Sequence, residues 1–181
     1  MRVVAGSARG RRLQAPPGHT TRPTSDRVRE AVFATLTSLD ALREATVADL
    51  FAGTGAMGIE ALSRGASSAV FVETDGAAVD AIKANLSATG FAGTRAQVAR
   101  VDVIRWADGA TPVDLAIIDP PYSFVEWPRL LAALPARIVV CESGAALDPG
   151  PGWEVLKEKR YGTTVVTVAQ STGAPLEPED R

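Results

Sequence analysis

Apolar positions in this chain gather into short runs, and the spacing inside a run alternates along the sequence. TVADLF at 46–51, AVFVE at 69–73, QVARVD at 97–102, VDLAII at 113–118 and RIVVC at 137–141 are brief and rich in Val and Ile. Runs of that kind predict strands covered on both faces. Between them, 57–64, 76–88 and 126–134 space their apolar residues three and four apart, which predicts helices. Strand alternating with helix is the pattern of a parallel sheet. Two further runs, 153–160 and 163–169, meet at Tyr161-Gly162 and predict an antiparallel hairpin closing the sheet. The expected fold is α/β, with a mostly parallel seven-stranded sheet ending in an antiparallel C-terminal hairpin.

Ahead of this alternation the pattern differs. Residues 2–5 and 11–14, joined by GSARGR, predict a short β-hairpin, and 15–22 read as an irregular Pro-rich connector. Thr24 or Ser25 then caps a helix on which Val28, Val32 and Leu36 form one apolar stripe. The expected organisation is an N-terminal hairpin-and-helix extension over 1–38, the α/β domain over 39–171, and a tail at 172–181. The last stretch, from Ser171 on, carries two prolines and four charged residues and is expected to fray.

Composition narrows the class. A chain of 181 residues, 46% apolar and 22% charged, can bury a core without disulfide or metal staples. No apolar stretch approaches the ~20 residues of a membrane span and no secretory leader is visible, so a cytoplasmic address is expected, with no membrane partner. Cys141 is the only cysteine and His19 the only histidine, which excludes an internal disulfide and makes a metal cluster implausible. Cys141 itself lies in an apolar run and reads as core packing.

The formal net charge of −2 hides a division along the chain. Within the first 30 residues, Arg2, Arg9, Arg11, Arg12, Arg22, Arg27 and Arg29 outnumber Asp26 and Glu30, a net of +5 that leaves −7 for the remainder. All seven cations are arginines, whose planar guanidinium pairs with phosphate in two-point fashion and stacks on bases. The segment therefore reads as an RNA-binding arm with salt-sensitive affinity. An edge hairpin merely blunted by charge is the plainer alternative.

Two motifs carry chemistry. The first, VADLFAGTGAMG at 47–58, spaces Gly53, Gly55 and Gly58 as in a nucleotide-binding turn, where missing side chains let a ligand approach the backbone of Phe51 and Ala52 and a helix start. Glu73, followed by Thr74, closes the next strand and can take ribose hydroxyls. A nicotinamide dehydrogenase wants the same spacing and the same acid. Asp49, inside the first strand where an apolar residue would pack more comfortably, favours a cationic sulfonium cofactor, whose ammonium it can face; a buried turn cap is its structural alternative. Asp102, followed by Val103 at the end of the third strand, is placed to reach an adenine amino group; a helix N-cap is its structural alternative.

The second motif is Asp119-Pro120-Pro121-Tyr122, directly after the run at 113–118. The carboxyl edge of a parallel sheet is where α/β proteins place ligands. There Asp119 and the Pro120 carbonyl can each accept a hydrogen bond from one hydrogen of a flat amine, and Tyr122 can stack on the ring that bears it. An ordinary turn is the competing interpretation. Phe124 reads equally as pocket wall or core, and Glu142 equally as a site residue or a strand-end acid.

The ordered set DLFAGTGAMGIEALSRGA, VFVETD, VDV and IIDPPY resembles a Rossmann-like class I S-adenosylmethionine-dependent methyltransferase acting on an exocyclic amine of a nucleic-acid base. With RVVAGSARGRRLQAP and RPTSDRVREAVF before it, the chain is similar to the RsmD family over nearly its whole length. That resemblance implies methylation of the 2-amino group of a guanine in 16S ribosomal RNA, with S-adenosylmethionine as cofactor and the assembled small ribosomal subunit as partner. It also implies a role near the site for Glu142. Oligomeric state is not written in these motifs, and a monomer is the default. A DNA adenine or cytosine amino-methyltransferase shares the DPPY motif but usually carries an added recognition domain. A non-catalytic RNA-binding module would leave the cofactor motifs idle, and a dehydrogenase would leave DPPY and the arginines idle.

Overall fold

The computed structural model describes residues 1–16 and 26–173. Its strands are β1 (Thr46–Leu50), β2 (Ser68–Glu73), β3 (Ala96–Arg100), β4 (Val113–Ile118), β5 (Ala136–Ser143), β6 (Trp153–Tyr161) and β7 (Thr164–Ser171). They form one sheet in the order β3-β2-β1-β4-β5-β7-β6. The first five are parallel, while β7 runs antiparallel between β5 and β6. The expected mixed seven-stranded sheet is thus observed. Strand order reverses between β1 and β4, and the crevice beyond their carboxyl ends is where a ligand fits an open α/β sheet.

The helices are α1 (Asp26–Ser38), α2 (Ala56–Ser63), α3 (Gly76–Thr89), α4 (Val103–Ala107) and α5 (Trp127–Ala133). One apolar cluster joins Val28, Val32, Phe33 and Leu36 of α1 to Ile59, Leu62, Phe71, Ile82 and Leu115. The other lies across the sheet, where Leu130 and Leu131 of α5 meet Val103, Ile104, Ile118 and Val139. Cys141 is fully buried in this second cluster, and burial pushes its thiol pKa up. Among the described residues, no helix is long and apolar enough to cross a membrane, and no group of side chains could hold a metal ion.

Three expectations need correction. The N-terminal hairpin is shorter than expected: Arg2 bridges Arg12, and the Val3, Leu13 and Gly10 N–H groups donate to the Arg11, Met1 and Val3 carbonyls at 3.0, 3.0 and 2.9 Å, while the backbone on either side of this pairing is held by other elements. Glu60 Oε2 and Oε1 accept the Val4 and Ala5 N–H groups at 2.7 and 3.0 Å, Ser63 Oγ accepts that of Ala8 at 2.9 Å, and Asn85 Oδ1 accepts that of Gln14 at 2.8 Å. A Cβ on Gly6 would collide with the Ser63 carbonyl, so the arm passes too close to α2 for any other residue. Second, α4 follows β3 where no helix was expected; Asp102 caps it by accepting the Arg105 N–H at 3.1 Å. Third, β7 extends through Ser171, which therefore belongs to the sheet rather than the tail. The Thr24 or Ser25 cap, most of the connector and the tail from 174 onward lie outside the described residues.

Candidate active site

At the end of β1 the chain must turn sharply, and the glycines let it. Phe51 takes a left-handed φ of 59°, a conformation that costs a non-glycine residue roughly 1–3 kcal/mol and marks a constrained site. Gly55, with φ 73°, opens α2 without a side-chain cap. Gly58 is required for a different reason: a Cβ there would press on the buried Phe71 ring, 2.8 Å from Cζ, and lie 3.1 Å from Asp49 Oδ2. That close approach lets Asp49 Oδ2 accept the Gly58 N–H at 2.8 Å.

Three carboxylates converge beside this turn. Asp49 is only 3% exposed. Burial, together with the charges of Asp119 and Glu73, pushes its pKa from 3.8 up to about 8, against the downward pull of the Gly58 hydrogen bond. Glu73 closes β2 and braces the loop, its Oε2 accepting the Gly53 N–H at 2.9 Å. Its Oε1 accepts the N–H groups of Thr74 and Asp75 at 2.7 and 3.0 Å. Asp119 follows β4, half-buried, with its N–H directed to the Leu50 carbonyl at 3.5 Å.

After Asp119, Pro120 is buried and Pro121 exposed, and the Pro121 carbonyl accepts the Phe124 N–H at 2.9 Å to close the turn. Tyr122 is 61% exposed, its hydroxyl 3.4 Å from Thr164 Oγ1. Phe124 meets Phe51 edge-on at 5.0 Å and Trp127 at 5.4 Å, so its ring ties the DPPY turn to the glycine turn from behind rather than walling the site.

These elements enclose a cleft of about 590 Å³. Asp49, Phe51, Ala52, Gly53, Glu73, Thr74, Asp119, Pro120, Pro121, Tyr122 and Glu142 line it, and Met1, Val28, Arg29, Thr54, Ala56, Met57, Tyr161 and Thr164 complete the wall. Gly55 and Gly58 shape the cleft from behind. Asp102 and Val103 do not line it: Asp102 caps α4 through Oδ1, and Val103 is buried in the core. The Tyr122 ring also borders a second, shallower cleft of about 560 Å³ that includes Trp127, Gly144 and Leu147.

The arginines divide. Arg2, Arg9, Arg11, Arg12 and Arg27 are exposed, while Arg22 lies outside the described residues. Arg29 corrects the expectation of a purely external arm, since its side chain is 1% exposed. Its Nη2 donates to the Arg2 carbonyl at 2.6 Å and its Nε lies 4.0 Å from Glu60. Glu60 also takes Arg64 Nε at 2.8 Å and is fully buried. Glu60 and Asn85 were missed from sequence. Asn85 Nδ2 donates to the carbonyls of Gln14 and Thr54 at 3.0 and 2.9 Å, joining arm to cleft loop. An acid inside the otherwise apolar AMGIEALS was the available signal for Glu60.

Comparison with known proteins agrees with this geometry. The family model described as "Conserved hypothetical protein 95" matches residues 1–170. YlbH of Bacillus subtilis, provisionally named as an rRNA methyltransferase, is 38% identical over 96% of this chain and 100% of its own. Ribosomal RNA small subunit methyltransferase D of Haemophilus influenzae is 30% identical, with 90% and 89% covered. Among solved structures, yhhF of Escherichia coli, provisionally named as a methyltransferase, superposes with a TM-score of 0.82 at 31% identity, covering 94% of this chain and 97% of that one. With arm, glycine turn and DPPY turn all inside the matched span, the chain belongs to the Conserved hypothetical protein 95 family, the RsmD family of rRNA methyltransferases.

Proposed function

We propose that the cleft binds S-adenosylmethionine and that the enzyme methylates the exocyclic 2-amino group of a guanine in 16S ribosomal RNA, acting as a cytoplasmic monomer on the assembled small subunit. The observation that carries this reading is the meeting of Asp49, Glu73 and Asp119 in one cleft at the sheet's switch point. Three acids in one cleft, two of which raise the pKa of the third, fit a ligand bearing both an ammonium and a sulfonium. Asp49 would face the ammonium. Glu73 uses its oxygens on three backbone N–H groups and still has lone-pair capacity for a ribose hydroxyl.

When bound, the cofactor supplies an electrophilic methyl group. The chain's own residues then have to present the amine. Asp119 and the Pro120 carbonyl accept its two hydrogens, which turns the nitrogen lone pair out of conjugation with the ring. Tyr122 offers its exposed ring to the flipped base. Proton loss follows transfer, because a carboxylate and an aryl amine are badly mismatched for proton removal beforehand. Glu142, which lines the same cleft, would accept from the guanine edge. Arg2, Arg9, Arg11, Arg12 and Arg27 hold the backbone phosphates. The test is transfer of labelled methyl to small ribosomal subunits from cells lacking this gene, with DNA in parallel and digestion to nucleosides. Label in 2-methylguanosine is expected; label in another nucleoside, or only in DNA, would overturn the assignment.

A further inference from the structure

The arginine arm is one candidate surface for RNA, but the C-terminal hairpin supplies a second on the same side of the sheet. β6 is the edge strand, and every residue from Glu154 to Arg160 is exposed. Residues opposite one another in an antiparallel pair share a face. Tyr161, Lys159 and Lys157 stand opposite Thr164, Val166 and Val168, and the two valines belong to the apolar cluster under α1. The side-chain geometry agrees. Lys157 Nζ donates to Thr35 Oγ1 of α1 at 2.9 Å, and Lys159 Nζ lies 5.4 Å from the centre of the Tyr161 ring. Tyr161 itself lines the cleft that holds Asp119. A stripe therefore runs from the mouth of the cleft along β6 as aromatic, cation, cation.

Charges that merely protect an edge strand need no particular face or sign. Here the α1 face near the cleft carries two lysines, whereas the opposite face of the same stretch mixes Glu158 with Arg160. The register shift between Val155 and Lys157 ends the cationic series, and Glu154 lies beyond it. On its other flank, α1 meets the arm through Arg29 and the Arg2 carbonyl and shows Arg27 to solvent. Arm, α1 and β6 thus form one continuous surface beside the cleft.

We propose that Lys157 and Lys159 are a second phosphate-binding element, so that the RNA footprint crosses α1 from the arm to the β6 edge and the target base enters the cleft between the two. This rests on the reading that the substrate is ribosomal RNA. The experiment is filter binding of small ribosomal subunits from 0.1 to 0.3 M KCl at fixed Mg²⁺, using wild type, K157Q/K159Q, K159Q alone, the arm variant R11A/R12A and the opposite-face control R160Q, with S-adenosylmethionine affinity and thermal unfolding measured alongside. K159Q is included because Lys157 also bonds to Thr35. The double variant should bind about tenfold more weakly at 0.15 M salt, and its log–log salt slope should be shallower by roughly 1.5, at about 0.7–0.9 for each phosphate no longer neutralised. K159Q should give about half that change, R160Q should match wild type, and cofactor affinity should hold throughout. Wild-type slopes in both lysine variants, with R11A/R12A weakened, would overturn the β6 element alone. Failure of the wild type to bind would overturn it together with the reading beneath it.

Discussion

Asp49→Asn separates what the cleft needs for folding from what it needs for function. Asp49 is buried, and its pKa is pushed from 3.8 up to about 8, mainly by burial and then by Asp119 and Glu73. An acid whose folded pKa is raised keeps its proton in the native state after the unfolded chain has lost its own. Stability is therefore fully present below about pH 4, falls as pH rises, and levels off above about pH 8, with a slope approaching about 1.4 kcal/mol per pH unit. The span of about four pH units sets a ceiling of about 6 kcal/mol. Relaxation and water penetration bring the expected cost of ionising Asp49 to about 2–3 kcal/mol. Asparagine has the same shape, can still accept the Gly58 N–H through Oδ1, and cannot ionise.

Urea unfolding of the cofactor-free protein between pH 4 and 8.5 checks this. The variant should match wild type near pH 4, exceed it by about 2–3 kcal/mol at pH 8.5, and lack the wild-type decline between. Cofactor binding should move the other way. A cation entering beside Asp49 favours its ionised form, so wild-type S-adenosylmethionine affinity should rise with pH up to about 8 and release close to one proton at pH 7. The variant should bind about 10- to 100-fold more weakly at pH 8, the loss of one charge-assisted hydrogen bond, with little pH dependence. Equal pH profiles in the two proteins, or an Asp49→Asn protein less stable than wild type at pH 8.5, would show that Asp49 is ionised in the free cleft and that burial and its acidic neighbours do not hold it protonated.

Asp119→Ala should lower kcat about 10²- to 10³-fold in the methyl-transfer assay while calorimetry still detects cofactor binding; loss of cofactor binding would instead make Asp119 a cofactor ligand. The same variant should bring the Asp49 transition to lower pH, since Asp119 is one of the charges raising it. Arg11→Ala with Arg12→Ala should weaken subunit binding about tenfold and flatten its salt dependence, leaving S-adenosylmethionine affinity unchanged. Gly58→Ala should lose about 1–2 kcal/mol in urea unfolding, because crowding against the fully buried Phe71 outweighs the roughly 1 kcal/mol that alanine returns to the helix. A more stable Gly58→Ala protein would mean that Phe71 can move.

What could be read from sequence here follows how local each signal is. The β1, β2 and β4 cores came from apolar runs that burial on both faces makes nearly continuous, and the three helices expected after them from apolar residues spaced three and four apart, both visible without any partner. The glycine and DPPY turns were legible because each sits where a strand ends, and the fold brings both to one crevice through the reversal between β1 and β4. Phe124 showed only as an aromatic, because its role depends on Phe51 and Trp127 coming from either side. Asp102 carried two readings because an acid at a strand end and an acid at a helix N-cap look alike until the five residues of α4 are seen to follow. Arg29 shows the limit most clearly. Sequence grouped it with six other arginines by proximity, yet two positions from the exposed Arg27 its side chain points inward, because α1 sets it beside Val28, Val32 and Phe33. Its partner, Glu60, lies 31 positions on in a helix that otherwise reads as core, and no period links the two. The cost of burying that pair is offset by what surrounds it: Val4, Ala5, Arg2 and Arg64 all bond to one member or the other. The arginine-rich arm is thus held in place by one arginine of α1, turned inside.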